Sequence, residues 1–128
     1  MNPFNKQWIE RNTKTYTNED QAFRALLGGI GTGNVSLNAA GQLCDFEMMN
    51  HPDKDLKIPY TFFLLWSCLE GEQPKAYVLE TQPREISRKA LGYPSGYLYG
   101  LPRMENCTIR TNYPFYEYRF YKKGLPLE

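Results

Sequence analysis

Short segments in which apolar and polar side chains alternate are the main structural signal along this chain. Residues 35–37 and 42–49 form two such segments around the turn-forming residues 38–41, so we predict a β-hairpin there. In residues 75–81 Tyr77 and Leu79 lie on one face of a predicted strand and Ala76 and Val78 on the other. In residues 115–121 Tyr116, Tyr118 and Phe120 share one face. A period of two residues is typical of half-buried strands and not of helices.

The strongest apolar run lies at residues 59–70. Both of its alternating sets are apolar: Tyr60, Phe62, Leu64, Trp66 and Cys68 on one face, and Phe63, Leu65 and Leu69 on the other. A strand with two apolar faces is normally covered on both sides. We therefore predict a central strand here, which turns at residues 71–74 and pairs with residues 75–81 as a hairpin.

One further strand is predicted at residues 104–110, pairing with residues 115–121 across a proline-containing turn. Residues 17–27 are ambiguous, because Thr17 and Asp20 could begin a short helix that ends at the glycines that follow. Together the segments predict about six strands joined by Gly and Pro turns. This pattern indicates an all-β fold, an antiparallel β-sandwich.

Two segments lie outside the strand pattern. Residues 1–22 show no clear period, and we predict an N-terminal extension there, before the sandwich domain at residues 23–128. Residues 82–102 are rich in Gly, Pro and Tyr and are long for a simple connection; they could hold a helical turn at residues 84–91. A chain of 128 residues is long enough for one such domain with its own core.

The charge balance and the hydropathy of the chain exclude several partners. Lys plus Arg number 15 and Asp plus Glu number 14, so the net charge of +1 creates no field that would recruit nucleic acid. The longest apolar run is too short to span a bilayer. Residues 1–20 lack the apolar core of a secretion signal, so we expect a cytoplasmic protein with no membrane span and no nucleic-acid partner.

Cysteine and histidine usage gives no sign of a metal site. Cys44, Cys68 and Cys107 are odd in number and widely spaced, and His51 is the single histidine. This spacing predicts neither a disulfide scaffold nor a zinc site. We expect three buried, reduced thiols, a histidine in a loop, and no metal or cofactor.

A glycine-rich run, GGIGTG, occupies residues 28–33. Glycines let backbone N–H groups approach a phosphate closely. The spacing nevertheless matches neither a dinucleotide-binding motif nor a P-loop, and no Lys-Ser or Lys-Thr pair follows. We interpret the glycines as positions that need a positive φ or close backbone packing, and we keep Gly29, Gly31 and Gly33 as binding or interface candidates.

Asp45 and Glu47 lie two residues apart on one face of the predicted second hairpin strand, about 7 Å from one another. That is near the separation of the carboxylate pairs of glycoside hydrolases. A solvated or interface face is the commoner role, because neighbouring strand positions lack the deep cleft that would separate two carboxyl pKa values. We therefore treat both as binding or interface candidates and assign no catalytic residue.

Aromatic rings offer a second kind of candidate site. Trp66, Tyr93, Tyr97 and Tyr99 could stack on sugar rings, since an aromatic ring provides a flat apolar platform. Most rings in a small β domain lie in the core or at an interface, so both interpretations stay open. Of these rings, Trp66 is kept as a binding or interface candidate.

Several motifs occur in an order that resembles a known family. They are GGIGTGNVS at residues 28–36, GQLCDFE at 41–47, NHP at 50–52, GLPR at 100–103 and YPF at 113–115. In this order they resemble the N-terminal domain of glycoside hydrolase family 116, the family of the non-lysosomal glucosylceramidases and related bacterial β-glucosidases. The resemblance spans about residues 23–128.

The resemblance implies a β-sandwich domain that packs on a larger (α/α)-barrel catalytic domain. It also implies that the nucleophile Glu and the acid/base Asp of a retaining mechanism belong to that barrel, and no motif of this chain matches theirs. We therefore expect no hydrolysis by this chain alone. We also expect the domain to continue into further strands past residue 128, so that the chain is a truncated part of a longer hydrolase.

Three roles fit these observations. The leading role is an accessory domain that braces the catalytic domain of a β-glucosidase or glucosylceramidase, with that domain as its partner and a glucoside as a candidate ligand. The first alternative is a free-standing carbohydrate-binding module that uses Tyr and Trp platforms. The second alternative is a protein-interaction scaffold, which would self-associate through exposed strand edges.

Overall fold

The computed structural model describes residues 13–54, 56–58, 60–82 and 100–125. These residues contain no helix, so the predicted all-β fold is confirmed. The described strands are β1 (Lys14–Thr17), β2 (Arg24–Leu27), β3 (Asn34–Asn38), β4 (Leu43–Glu47), β5 (Leu64–Ser67), β6 (Lys75–Thr81), β7 (Arg103–Met104), β8 (Asn106–Asn112) and β9 (Phe115–Tyr121).

The described strands form three sheets of three strands each, in the orders β1–β8–β9, β2–β3–β4 and β5–β6–β7. All of these pairings are antiparallel except that of β6 with β7, which is parallel. The six or so predicted strands correspond to β3, β4, β5, β6, β8 and β9. The sequence pattern did not identify three short strands, β1, β2 and β7, because two to four residues contain too few positions to show a period. β5 also has four residues, and it was found because it lies within a longer apolar run.

The hairpin of β3 and β4 is confirmed, and its turn is closed by one side chain. The Asn38 side-chain oxygen accepts the backbone N–H of Ala40 at 3.0 Å and that of Gln42 at 2.9 Å. Asparagine favours turns because its side chain can satisfy backbone groups a few residues ahead. The same turn then packs against β6, where the backbone N–H of Thr81 donates to the carbonyl of Ala40 at 2.8 Å.

The main core lies between this turn and the inner face of β8 and β9. Ala39, Cys107 and Ile109 are buried there, and Tyr118 and Phe120 pack against them. The predicted alternation of β9 is confirmed, since its even-numbered residues are half-buried and its odd-numbered residues are exposed. The Tyr118 hydroxyl donates to the carbonyl oxygens of Leu37 and Asn38, each at 3.2 Å, and so ties β9 to β3. Burial raises the pKa of Tyr118 well above its usual value, so the hydroxyl stays protonated and remains a donor.

A buried polar cluster joins the hairpin to β6 and β7. Its members are Gln42, Glu80 and Arg103, which we call the buried joint. Arg103 Nε and Gln42 Nε2 each lie 3.4 Å from Glu80 Oε2. Burial raises the pKa of the Glu80 carboxyl, and the hydrogen bond from Gln42 and the charge of Arg103 act in the opposite direction. A buried carboxylate needs such partners, because an unpaired charge is costly to remove from water.

The prediction of a central strand at residues 59–70 is wrong. The strand β5 covers Leu64–Ser67 alone, lies at the edge of its sheet and pairs with β6. Leu64 and Trp66 are 56% and 64% exposed. The apolar run is real, but the described residues leave the face of Leu64 and Trp66 exposed and cover the face of Leu65 only in part. The turn and the return strand β6 are as predicted.

The predicted burial of the cysteines is right for two of the three. All three are free thiols; Cys44 and Cys107 are buried, whereas Cys68 is exposed. The prediction for Cys68 is wrong because it rested on a central strand through residue 68, and β5 ends one residue earlier on an uncovered edge.

The possible helix at residues 17–27 is also wrong. The Asp20 carboxylate accepts the backbone N–H of Thr17 at 2.6 Å and its hydroxyl at 3.2 Å, and this closes a turn in place of a helical start. β2 follows and pairs with β3. β1 precedes the turn, inside the predicted extension at residues 1–22, and is hydrogen-bonded into the sheet through β8. The helical turn predicted at residues 84–91 lies outside the described residues.

Candidate functional site

The glycine run forms the exposed loop between β2 and β3, and two of its glycines are required by packing. Gly33 has a φ of +80°, and a Cβ there would lie 2.6 Å from the carbonyl oxygen of Glu47. Gly28 has a φ of +153°, and a Cβ there would lie 2.4 Å from the carbonyl oxygen of Gly33. The interpretation of this run as positions of positive φ and close backbone approach is confirmed at both residues.

Gly29 and Gly31 lie at the tip of the same loop. The backbone N–H of Gly29 donates to the hydroxyl of Thr32 at 2.9 Å, so this donor is used within the loop. A Cβ at Gly31 would meet nothing within 4 Å, and Ile30 between them is fully exposed. The tip is therefore an open, partly apolar surface and not a cradle of converging N–H groups.

Asp45 sits on a β-bulge, which the sequence pattern did not predict. The register passes from Asn34 opposite Glu47 to Ser36 opposite Cys44, so β4 carries one extra residue over this interval. Asp45 has a φ of +51°, and its backbone N–H donates to the carbonyl of Leu56 outside the ladder. Cys44 and Asp45 are consecutive and both buried. Of the two expected roles, a solvated or an interface face, the solvated one is wrong for Asp45, because the bulge breaks the alternation and buries this residue.

Each of the two carboxylates is held by a different cation. Asp45 Oδ2 lies 3.1 Å from Arg24 Nε, and Glu47 Oε2 lies 2.7 Å from Lys54 Nζ. The amide of Asn34 also donates to Glu47 Oε2 at 3.1 Å. The hydrogen bonds from Lys54 and Asn34 lower the pKa of Glu47. A carboxyl group that donates a proton to a glycosidic oxygen needs a raised pKa, so this environment suits Glu47 to an ion pair and not to acid catalysis.

Trp66 does not join these residues. It lies on β5, in a different sheet from the glycine loop, Asp45 and Glu47, and it is paired with Ala76 on β6. The candidates therefore form two separate surfaces: the end of the β2–β3–β4 sheet and the exposed edge strand. Tyr93, Tyr97 and Tyr99, the other rings considered for sugar stacking, lie outside the described residues.

Sequence reasoning missed a cleft of about 720 Å³ on the β1–β8–β9 side of the molecule. The turn between β1 and β2 forms one wall and the end of the β8–β9 hairpin forms the other. Its lining residues are Tyr16, Asp20, Gln21, Ala22, Phe23, Arg24, Thr111, Tyr113 and Tyr116. The walls come from positions almost a hundred residues apart, so no local motif brings them together. The available signals were the inward position of Tyr116 on β9 and the Thr17–Asp20 spacing.

Within the part of the chain that the structure describes, no three His, Cys, Asp or Glu side chains converge to hold a metal ion. His51 lies exposed in the turn after β4, which confirms the predicted loop position. No helix among the described residues is long and apolar enough to cross a membrane.

Comparison with known protein families identifies one matching family. The family model described as beta-glucosidase 2, glycosyl-hydrolase family 116 N-term, matches residues 25–128. Comparison with curated proteins gave no match. The matched range agrees with the resemblance that the glycine run, the hairpin motif and the later landmarks carry. On the family model and the all-β fold together, the chain belongs to the N-terminal domain family of glycoside hydrolase family 116.

Proposed function

We propose that this chain acts as the accessory N-terminal domain of a cytoplasmic retaining hydrolase of the β-glucosidase or glucosylceramidase type, where it braces an (α/α)-barrel catalytic domain. The observation that carries this proposal is the family match over residues 25–128, whose description places the matched domain at the N-terminus of a glycosyl hydrolase. The activity then belongs to the whole hydrolase, and this domain contributes stability and shape.

The exposed apolar residues on and around β5 are the docking surface in this proposal. We call them the β5 surface; it comprises Ile58, Phe63, Leu64, Trp66 and Leu69, all exposed. Apolar side chains grouped on a protein surface mark interaction sites, because covering them releases water. An aromatic ring such as Trp66, flanked by aliphatic side chains, is the usual anchor of such an interface. The partner in this proposal is the catalytic domain of the same hydrolase.

The contacts of Asp45 and Glu47 also support a non-catalytic role for this domain. Asp45 is buried against Arg24, and the contacts of Glu47 with Lys54 and Asn34 favour its charged form. A retaining glycosidase needs one carboxyl group that is protonated and one that is charged, both open to the substrate. Asp45 and Glu47 act instead as ion pairs that hold β4 to β2, β3 and the following loop.

The decisive experiment isolates the native protein from its source cell with an antibody raised against this chain. We expect the precipitate to hydrolyse 4-nitrophenyl β-D-glucopyranoside and to contain this sequence within, or bound to, a chain far larger than 14.9 kDa. A precipitated protein near 14.9 kDa with no β-glucosidase activity would contradict the proposal. So would hydrolysis of the same substrate by the purified 128-residue chain alone.

The docking surface has its own test in the native hydrolase. Trp66→Asp, introduced into the full protein in the source cell, places a charge in the centre of the proposed interface and should lower the temperature at which the β-glucosidase activity is lost. Phe115→Asp is the matched control, because Phe115 is 74% exposed and lies in a different sheet. Equal effects of the two substitutions would remove the β5 surface from the proposal.

A further inference from the structure

The cleft between the β1–β2 turn and the β8–β9 hairpin has a lining that the accessory role does not use. Residues 20–24 form one side and Thr111, Tyr113 and Tyr116 the other, and the cleft is open to solvent with a volume of about 720 Å³, within the range of small-molecule sites. We propose that this cleft binds a neutral carbohydrate, a pyranoside ring of the β-glucoside type. It lies on the β1–β8–β9 sheet and is separate from the β5 surface and from Trp66.

Aromatic rings line the cleft at several angles. Tyr16 and Phe23 have ring centroids 4.7 Å apart, and Tyr116 meets Phe23 edge-on at 6.2 Å. Tyr113 stands at the rim and is 82% exposed, so its ring is accessible. An all-equatorial glucopyranose presents axial C–H groups on both faces of its ring, and these pack on aromatic faces while the hydroxyls point outward. Tyrosine suits such a partner because it combines an apolar ring with a polar tip.

Polar groups beside the rings can bind those hydroxyls. The Asp20 carboxylate uses Oδ2 to accept both contacts from Thr17, and its Oδ1 accepts no hydrogen bond from a described residue. The Gln21 side-chain amide, which lines the same wall, likewise makes no hydrogen bond to a described residue and offers both donors and an acceptor. A carboxylate and an amide next to aromatic rings form a set that both accepts from and donates to vicinal hydroxyls.

The charges of the cleft favour a neutral ligand over a phosphate or a carboxylate. Arg24 is the cation of the lining, and its guanidinium already contacts Asp45 at 3.1 Å and the carbonyl oxygens of Gln21 and Phe23 at 2.7 and 2.9 Å. Its positive charge is therefore compensated, and the Asp20 carboxylate would repel an anion. Sugar hydroxyls meet no such repulsion and can donate to Asp20.

The test is a titration of the purified chain, followed by the backbone amide signals in NMR. The probes are methyl β-D-glucopyranoside and cellotetraose, with glucose 6-phosphate as the anionic arm. We expect saturable binding of the neutral probes with a dissociation constant on the order of millimolar, and signal changes confined to residues 13–24 and 108–118. Glucose 6-phosphate should bind more weakly, because Asp20 repels its phosphate.

Single substitutions test whether the carbohydrate binds in this cleft. Tyr113→Ala should weaken cellotetraose binding about tenfold and Gln21→Ala about fivefold, and both residues are exposed, so the fold survives. Phe115→Ala is the control, since Phe115 is equally near the hairpin end but does not line the cleft; its affinity should stay within about twofold of the original.

Three results would overturn the proposal. The first is no saturable binding of either neutral probe, and the second is tighter binding of glucose 6-phosphate than of methyl β-D-glucopyranoside. The third is an equal loss of affinity in Phe115→Ala and Tyr113→Ala. Binding at this cleft needs neither the catalytic barrel nor the β5 surface, so a failure here leaves the docking role standing, and loss of the docking role leaves the cleft unaffected.

Discussion

The inner face of β8 and the exposed edge strand β5 contain similar apolar side chains and use them in opposite ways. Ile109 on β8 is fully buried against Ala39 and the rings of β9, whereas Leu64 on β5 is 56% exposed. Both strands alternate and both pair on at least one side. An apolar strand face in the sequence therefore shows that a face can be buried. It does not show which surface covers it.

The sheet of β5, β6 and β7 contains this contrast within itself. At one end Glu80 and Arg103 are buried in the joint with the hairpin, and at its edge Trp66 is exposed. The inner residues of this sheet are buried by other residues of the same chain. The edge residues have no such cover among the described residues, which is why we assign them to an interface with the rest of a hydrolase. The predictions below test the two halves of this contrast, from the largest effect to the smallest.

Removing the cation of the buried joint should have the largest effect. Arg103→Met leaves the Glu80 carboxylate buried without its charged partner and should lower the free energy of unfolding at pH 7 by about 4 kcal/mol. The measurement is urea unfolding followed by circular dichroism. Arg110→Met is the control, because Arg110 is exposed on β8; its effect should stay within about 0.5 kcal/mol.

The same substitution has a defined pH dependence. Burial raises the folded-state pKa of Glu80 above its unfolded value, so the stability that Glu80 contributes is fully present below the unfolded pKa and is lost as the pH rises through the folded pKa. Arg103 opposes that loss by stabilising the carboxylate. The deficit of Arg103→Met should therefore shrink as the pH falls from 7 to 4, because Glu80 is protonated below the ordinary carboxyl range. An equal deficit at pH 7 and pH 4 would show that Arg103 acts through packing and not through charge.

A cavity in the main core comes next. Ile109→Ala removes a fully buried side chain between Ala39 and Cys107, and it should lower the free energy of unfolding by about 3 kcal/mol. Ile58→Ala makes the same chemical change at an exposed position of the β5 surface and should lower it by less than about 1 kcal/mol. Equal losses in the two variants, measured by urea unfolding, would erase the contrast between the covered and uncovered faces.

The glycine loop tests backbone packing at the edge of the β2–β3–β4 sheet. Gly33→Ala combines an unfavourable positive φ with a Cβ placed 2.6 Å from the Glu47 carbonyl oxygen, and it should destabilise by about 2 kcal/mol. Gly31→Ala has a similar φ but open space around the added carbon, so about 1 kcal/mol is expected. Thermal unfolding of both variants separates the contribution of the close contact from that of the dihedral angle. A Gly31→Ala variant as unstable as Gly33→Ala would contradict the packing role of Gly33.

The smallest effect on folding is expected on the β5 surface itself. Leu64→Ala in the purified chain should change the free energy of unfolding by less than about 0.5 kcal/mol, because the side chain is largely in contact with water already. Urea unfolding measures it. A loss near 2 kcal/mol would mean that the chain covers this face by itself, and the β5 surface would then no longer be available for docking.

Sequence reasoning predicted the fold where the covering partner is close along the chain. The hairpin of β3 and β4 and the pairing of β8 with β9 each join neighbouring segments, so alternation and turn residues were sufficient. β1 and β2 were missed because four residues are too few to show a period, although β2 pairs with the neighbouring β3 and β1 with the distant β8. β5 was placed at the centre of a sheet because its apolar composition shows that its faces can be buried and does not show whether this chain covers them.

The candidate site was predicted only in part, because some of its features depend on contacts between distant segments. Positive φ or close backbone packing was predicted for the glycine run as a whole, and the structure confirms close packing at Gly28 and Gly33. The burial of Asp45 depends on one inserted residue in the ladder, which an alternation pattern cannot register. The cleft depends on two distant turns coming together, and Tyr16, Gln21 and Tyr113 carry no common motif that could have indicated it.

The pairing of β1 with β8 also limits when this part of the sheet can form during synthesis of the chain. Lys14 pairs with Thr111, so β1 leaves the ribosome long before its partner has been synthesised. At about 5–20 residues per second this delay lasts roughly 5–20 s. Through that interval both edges of β1 are open to other chains. Synthesis of β8 provides the hydrogen-bond partner for one edge of β1. The late part of the sequence therefore protects the early part from pairing with other chains.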